Sequence, residues 1–162
     1  DRDVRGRTMR LDVMAACGLA MVAFATGVAT SQTPPAELIV GSWDCSAEAP
    51  DGVIAGRLTY KADGKTDSSL TLTASLDGVA LVAQIDTLSS WALLGGGMIQ
   101  EQILTATVNS ATLDGEDLPE AVKAEIAQSV TAELGPSTID LSPTRMVLVD
   151  GEGTRTVCSR QG

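Results

Sequence analysis

The sequence predicts a mainly β protein. It reads as an antiparallel meander of about eight strands closing into a small barrel, with one amphipathic helix over about residues 118–134. Three observations carry this reading. Apolar and polar residues alternate with period two through most of residues 38–113. Hairpin signals, Asp63-Gly64-Lys65 and above all Asp77-Gly78, interrupt that alternation at strand-length intervals. One stretch, from Leu118 onward, switches to apolar residues spaced i, i+4.

The chain has 162 residues, enough for one domain with a core. Residues 1–31 read as upstream residues plus a secretory signal peptide, with Met9 the expected start. Arg10 precedes an apolar run over 13–29, and small residues follow to Ser31. Cleavage is expected; a retained membrane anchor is the alternative, because the run is about long enough to span a bilayer. Residues 32–37, with Pro34 and Pro35, read as a linker, and 38–162 as the domain. The expected location is periplasmic or secreted.

Losing Arg2, Arg5, Arg7 and Arg10 with Asp1, Asp3 and Asp12 leaves 7 basic and 18 acidic residues, a net charge of −11. That balance argues against nucleic acid and against an anionic membrane surface as partner. With Cys17 in the leader, Cys45 and Cys158 remain. In an oxidising compartment they are expected to form a disulfide, with two buried free thiols as the alternative.

In chain order, residues 38–45 form the opening strand, with Ile39, Gly41, Trp43 and Cys45 on one face. Over 53–62, Ile54, Gly56, Leu58 and Tyr60 alternate with Arg57, Thr59 and Lys61. Over 66–76, Leu70, Leu72, Ala74 and Leu76 share a face. The strand over 79–94 carries Val79, Leu81, Ala83, Ile85, Trp91 and Leu93, with a bend expected near 87–90. Gly95-Gly96-Gly97 ends it. A fifth strand over 98–113, expected to finish near Val108, has Leu104, Ala106 and Val108 inward.

The helix follows. Asp117 is placed to cap it, Pro119 suits its first turn, and Glu120 lies three residues beyond the cap. Leu118, Val122, Ile126, Val130 and Leu134 form its apolar row, and Gly135-Pro136 stops it. Three short strands, over 137–141, 146–150 and 154–160, complete the chain. Pairing the last strand with the first closes the sheet and brings Cys158 to Cys45.

Gly41-Ser42-Trp43 on the first strand resembles the Gly-x-Trp signature of the lipocalin and avidin-like barrels, the calycin group. The strand pattern extends the resemblance over 38–160, to a small exported domain of the bacterial type. It implies a lipocalin-like barrel whose closed end is plugged by Trp43, with an arginine from the last strand packed across the indole. Arg155 and Arg160 both lie on that strand, and Arg160 is assigned the role.

Catalytic chemistry finds little footing. Histidine is absent, and neither Gly-x-Ser-x-Gly nor Ser-x-x-Lys occurs, so no catalytic residues, no metal site and no cofactor are expected. Asp114-Gly115-Glu116-Asp117 and Asp150-Gly151-Glu152 read as acidic turns rather than calcium loops. The expected function is binding of a small apolar ligand in a cavity lined by Leu70, Leu72, Leu81, Ile85 and Leu104, with Tyr60 and Gln102 at its mouth. Glu101, Gln84, Gln100 and Arg57 are further polar residues on the flanking strands. The alternative is an envelope interaction protein, such as a protease-inhibitor-like barrel acting through residues 32–37.

Overall fold

A computed structural model describes residues 35–49, 51–131 and 134–162. The signal peptide read over 1–31 and residues 32–34 of the linker lie outside the described residues. Among the described residues, no helix is long and apolar enough to cross a membrane.

The elements run α1 (Ala36–Ile39), β1 (Gly41–Ala49), β2 (Gly52–Tyr60), β3 (Lys65–Leu76), β4 (Val79–Leu94), β5 (Met98–Leu113), β6 (Glu116–Asp117), α2 (Glu120–Val130), β7 (Ser137–Leu141), β8 (Arg145–Val149) and β9 (Arg155–Arg160). Every strand pairing is antiparallel. Eight strands close into a ring in the order β1-β2-β3-β4-β5-β7-β8-β9 and back to β1, while β6 hangs on the edge of β5. The turns are those the residues favour. Asp77 and Gly78 have φ of 54° and 86°, both in the left-handed region that a two-residue hairpin of type I′ requires.

The ring is sealed where the chain's ends meet. β9 pairs with β1 so that Cys45 faces Cys158, and the two are joined by a disulfide. Trp43, fully buried, donates its indole N–H to the Ile39 carbonyl at 2.8 Å. The Arg160 guanidinium stands 4.2 Å from the centre of the Trp43 ring. Its Nη1 donates to the Val40 carbonyl at 3.0 Å, Nη2 to the Leu38 carbonyl, and Nε to the Pro143 carbonyl at 2.6 Å. Gly41 makes room for this: a side chain there would run into Arg160, and its φ of 138° is one that other residues rarely adopt.

The opening segment is therefore not all strand. Residues 36–39 coil into one helical turn, and the strand starts only at Gly41. Four residues cannot hold a helix alone. Trp43 and Arg160 accept the burden by bonding the carbonyls of Leu38, Ile39 and Val40, which such a turn leaves unpaired.

β5 departs from simple alternation twice. Ser89 pairs with Ile103 but Leu88 with Thr105, so Leu104 is an extra residue; Ile85 pairs with Val108 but Gln84 with Ser110, so Asn109 is another. Each bulge reverses which residues face inward. Ala106 and Val108 face in as expected, while N-terminal to Leu104 the inward row is Ile99, Glu101 and Ile103, opposite Leu93, Trp91 and Ser89. β4, by contrast, continues unbroken through Thr87 and Ser89, both buried; the Thr87 and Ser68 hydroxyls lie 2.6 Å apart. Near Asp114 the chain also makes a hairpin the pattern left unread. Asp114 and Gly115 repeat the φ signs of Asp77-Gly78, and β6 folds back on β5.

The helix is shorter than expected and capped differently. It spans Glu120–Val130, with Pro119 at the cap position, and Asp117 makes no cap. Asp117 instead accepts from the Lys123 ammonium at 3.1 Å, as Glu120 does at 3.0 Å. Leu118, Ile126 and Val130 pack on Ala83, Ile85 and Ala111, whose small or slim side chains let the helix approach the sheet. Val122 and Leu134, at 36% and 42% exposure, stand outside this contact.

A larger core fills the sealed end of the barrel: Ile39, Trp43, Cys45, Tyr60, Ile99, Ile139, Met146, Leu148 and Cys158, with Leu58, Trp91, Leu93 and Leu141 against them. The ring has one weak seam. β5 and β7 share only two residue pairs, Met98 with Thr138 and Ile99 with Ser137. Beyond Ile99 the ladder stops, and the segment before β7 is held to β5 by the Leu134 N–H, which donates to the Glu101 carbonyl at 3.2 Å, and by the Gln100 side-chain amide, which donates to the Leu134 carbonyl.

Breaking the disulfide with Cys45→Ala and Cys158→Ala is expected to lower unfolding stability by about 3–5 kcal/mol, because it releases a long loop in the unfolded chain. Urea unfolding of oxidised wild type against the double variant measures it, and an unchanged midpoint would show the bridge to be idle. Arg160→Lys keeps the charge over Trp43 but cannot reach three carbonyls together. A loss of at least about 2 kcal/mol is expected in the same assay.

Candidate functional site

The inward turn of β5 before its first bulge puts a carboxyl group inside the barrel. Glu101 faces Trp91 across the β4–β5 pair, and its Oε1 accepts a hydrogen bond from the Tyr60 hydroxyl at 2.9 Å. The Tyr60 ring meets the Trp91 ring edge to face, with centroids 5.9 Å apart, and the Trp91 indole N–H donates to the Lys65 carbonyl at 3.2 Å. β2, β4 and β5 thus each contribute one member of a Tyr60–Trp91–Glu101 cluster. Among the described residues no cation partners Glu101, and its second carboxylate oxygen has no hydrogen bond.

Burial pushes the Glu101 carboxyl above the usual glutamate range, while the hydrogen bond from Tyr60 pulls the other way. Burial first, and then the neighbouring Glu101 charge, push the Tyr60 phenol well above its ordinary value, so it remains a donor at any working pH. Burial without a counter-charge works against the charged form of an acid.

Two spaces meet at Glu101. One, of about 180 Å³, lies in the barrel lumen against Cys45, Ala47, Ile54, Leu58, Leu70 and Leu148, with Ser46, Thr156 and Glu101 as its polar boundary. The other, of about 490 Å³, opens through the β5–β7 seam between Leu134, Gly135, Ser137 and the turn carrying Asp150, Gly151 and Glu152. Glu101, Leu148 and Thr156 line both.

The residues expected to bind a ligand are distributed differently. Leu70 lines the lumen cavity. Leu72 and Ile85 lie in the cluster that α2 covers, so the helix occupies the place the expectation left for a ligand. Leu81 is half-buried opposite Leu113, and Leu104 is the half-buried bulge residue, neither on the cavity wall. Tyr60 is not at a mouth; at 1% exposure it is packed in the core, where its hydroxyl donates to Glu101. Gln102 is exposed on the face opposite Glu101, because the bulge at Leu104 exchanges their positions. The two turns read as acidic loops tie their own backbone. Asp114 Oδ1 accepts from the Ala80 N–H, and Asp150 Oδ1 from the N–H groups of Glu152 and Thr154.

Glu101 was within reach of the sequence as a polar residue beside the Gly-rich turn, but nothing local marks it as buried. Its only signal is that Ile99, Glu101 and Ile103 share a parity, which competes with that of Leu104, Ala106 and Val108. Comparison with protein-family models gives no match, and comparison with curated proteins gives none either.

The raised Glu101 value has a consequence for stability. A carboxyl whose folded-state value exceeds its unfolded one favours the folded state while protonated. That contribution is full below the ordinary glutamate range and is lost as pH rises through the raised value. Glu101→Gln keeps an acceptor for Tyr60 and removes the titration. The variant should therefore gain stability relative to wild type as pH rises from about 4 to about 8. Urea unfolding across that range reads it, and parallel curves for the two proteins would refute the assignment.

Proposed function

We propose that this chain is an exported, lipocalin-like barrel, periplasmic or secreted, that binds a small apolar molecule rather than transforming one. The observation that carries the reading is the lumen cavity between Cys45, Ile54, Leu58, Leu70 and Leu148. An apolar cavity of about 150 Å³ accepts a benzene-sized guest in other proteins, so about 180 Å³ fits a ligand of one ring or a short chain. Three features support the wider assignment. The eight-strand ring closes between the first and last strands. The Gly-x-Trp residues Gly41 and Trp43 meet Arg160 at the sealed end. The Cys45–Cys158 disulfide is compatible with an oxidising compartment.

The sealed floor and the open mouth divide the work. Trp43 and Arg160 hold the floor rigid, while Ile54, 41% exposed, leaves an apolar lip at the other end. Toluene is the simplest probe. Ala47 lines the cavity with a small side chain, so Ala47→Phe should fill the space and weaken toluene binding by at least about tenfold, with the fold intact. Calorimetric titration measures it. Equal binding by the two proteins, or none by wild type, would remove the cavity as the site.

A further inference from the structure

Building on the cavity reading, we infer that the ligand carries an amine: its apolar part fills the lumen and its ammonium group sits against Glu101, where lumen and seam join. Both halves of that description come from the walls. The lumen side is apolar apart from Ser46, Thr156 and Glu101. The seam side carries Asp150 and Glu152, and among the described residues no lysine or arginine lines either space. Asp150 is held below the ordinary aspartate range, chiefly by the Thr154 backbone N–H, so the seam is negatively charged at neutral pH.

Glu101 supplies the directed contact. Tyr60 fixes one carboxylate oxygen, and the other has no partner among the described residues while the side chain borders both spaces. A part-buried carboxylate without a cation is disfavoured; an ammonium group arriving with the ligand supplies the counter-charge and forms a charge-assisted hydrogen bond. An anionic ligand would face three acidic side chains with no compensating lysine or arginine among the described residues, and a neutral one would leave Glu101 as it was. The seam, wider than the lumen, lets the amine end remain hydrated up to the last step, and its negative potential draws cations in.

The test uses the full chain at neutral pH with three probes of one size, benzylamine, toluene and benzoate, titrated calorimetrically. Benzylamine is expected to bind at least about tenfold more tightly than toluene, in line with one charge-assisted hydrogen bond, and benzoate not to bind. In Glu101→Gln the ratio of benzylamine to toluene affinity should fall to within about threefold, with the melting transition confirming a folded variant. Toluene binding alone reports on the cavity. If toluene binds and benzylamine binds no better, the amine assignment falls and the cavity reading stands. A tenfold ratio that survives Glu101→Gln also overturns it. If none of the three binds, both readings fall together.

Discussion

The Arg160 side chain is the point at which the two ends of the domain become one structure. Its guanidinium covers Trp43 and bonds the carbonyls of Leu38, Val40 and Pro143, so one group joins the opening turn, the first strand, the last strand and the β7–β8 turn. Each of those carbonyls would otherwise be a polar atom at the edge of an apolar plug, where an unmade hydrogen bond costs about 1–3 kcal/mol. Arginine suits the position because its donors fan out in one plane while its face lies on an indole. Gly41 is the matching concession in the backbone. With the floor fixed in this way and Cys45 bonded to Cys158, the register of β1 against β9 has no freedom to slip, and the rest of the ring inherits it.

The opposite side of the ring is built with less. β5 leaves β7 after two residue pairs and turns its middle towards α2, which covers Ala83, Ile85 and Ala111. The parting of the strands opens the seam, and Glu101 stands at its inner edge. A carboxyl there contradicts the usual distribution of charge in a barrel core. Tyr60 donates to one of its oxygens, and among the described residues no cation answers its charge. Such unresolved polarity, next to space and inside an otherwise consistent fold, is where proteins place binding chemistry at the expense of stability. The well-packed floor is what lets the domain tolerate it.

Much of this was legible in the residues. Period-two alternation marks β2, β3 and β4 to within a few residues, because each has one buried face and few interruptions. Asp77-Gly78 marks its hairpin because only residues at ease with positive φ make so tight a turn. Asp114-Gly115 carried the same signal and the same φ signs, but the acidic run around it masked β6 and lent Asp117 the look of a helix cap. The opening turn at residues 36–39 was hidden for another reason. Leu38, Ile39 and Val40 favour a strand by themselves, and the groups that make them turn are Trp43 and Arg160, the latter more than a hundred residues away.

By itself, then, the sequence determined the class of fold, a ring of about eight strands, and the meeting of first and last strands that brings Cys158 to Cys45. All of these follow from local period, turn chemistry and the need to leave no sheet edge open. Only the tertiary structure decided which residues of β5 look inward. An alternating strand has two possible parities, and a bulge changes from one to the other where curvature against the partner strand demands it. The demand comes from β4, which runs the full length of β5 while the ring bends around them. One inserted residue, Leu104, accordingly sent Gln102 to solvent and Glu101 to the lumen, and that exchange created the candidate site.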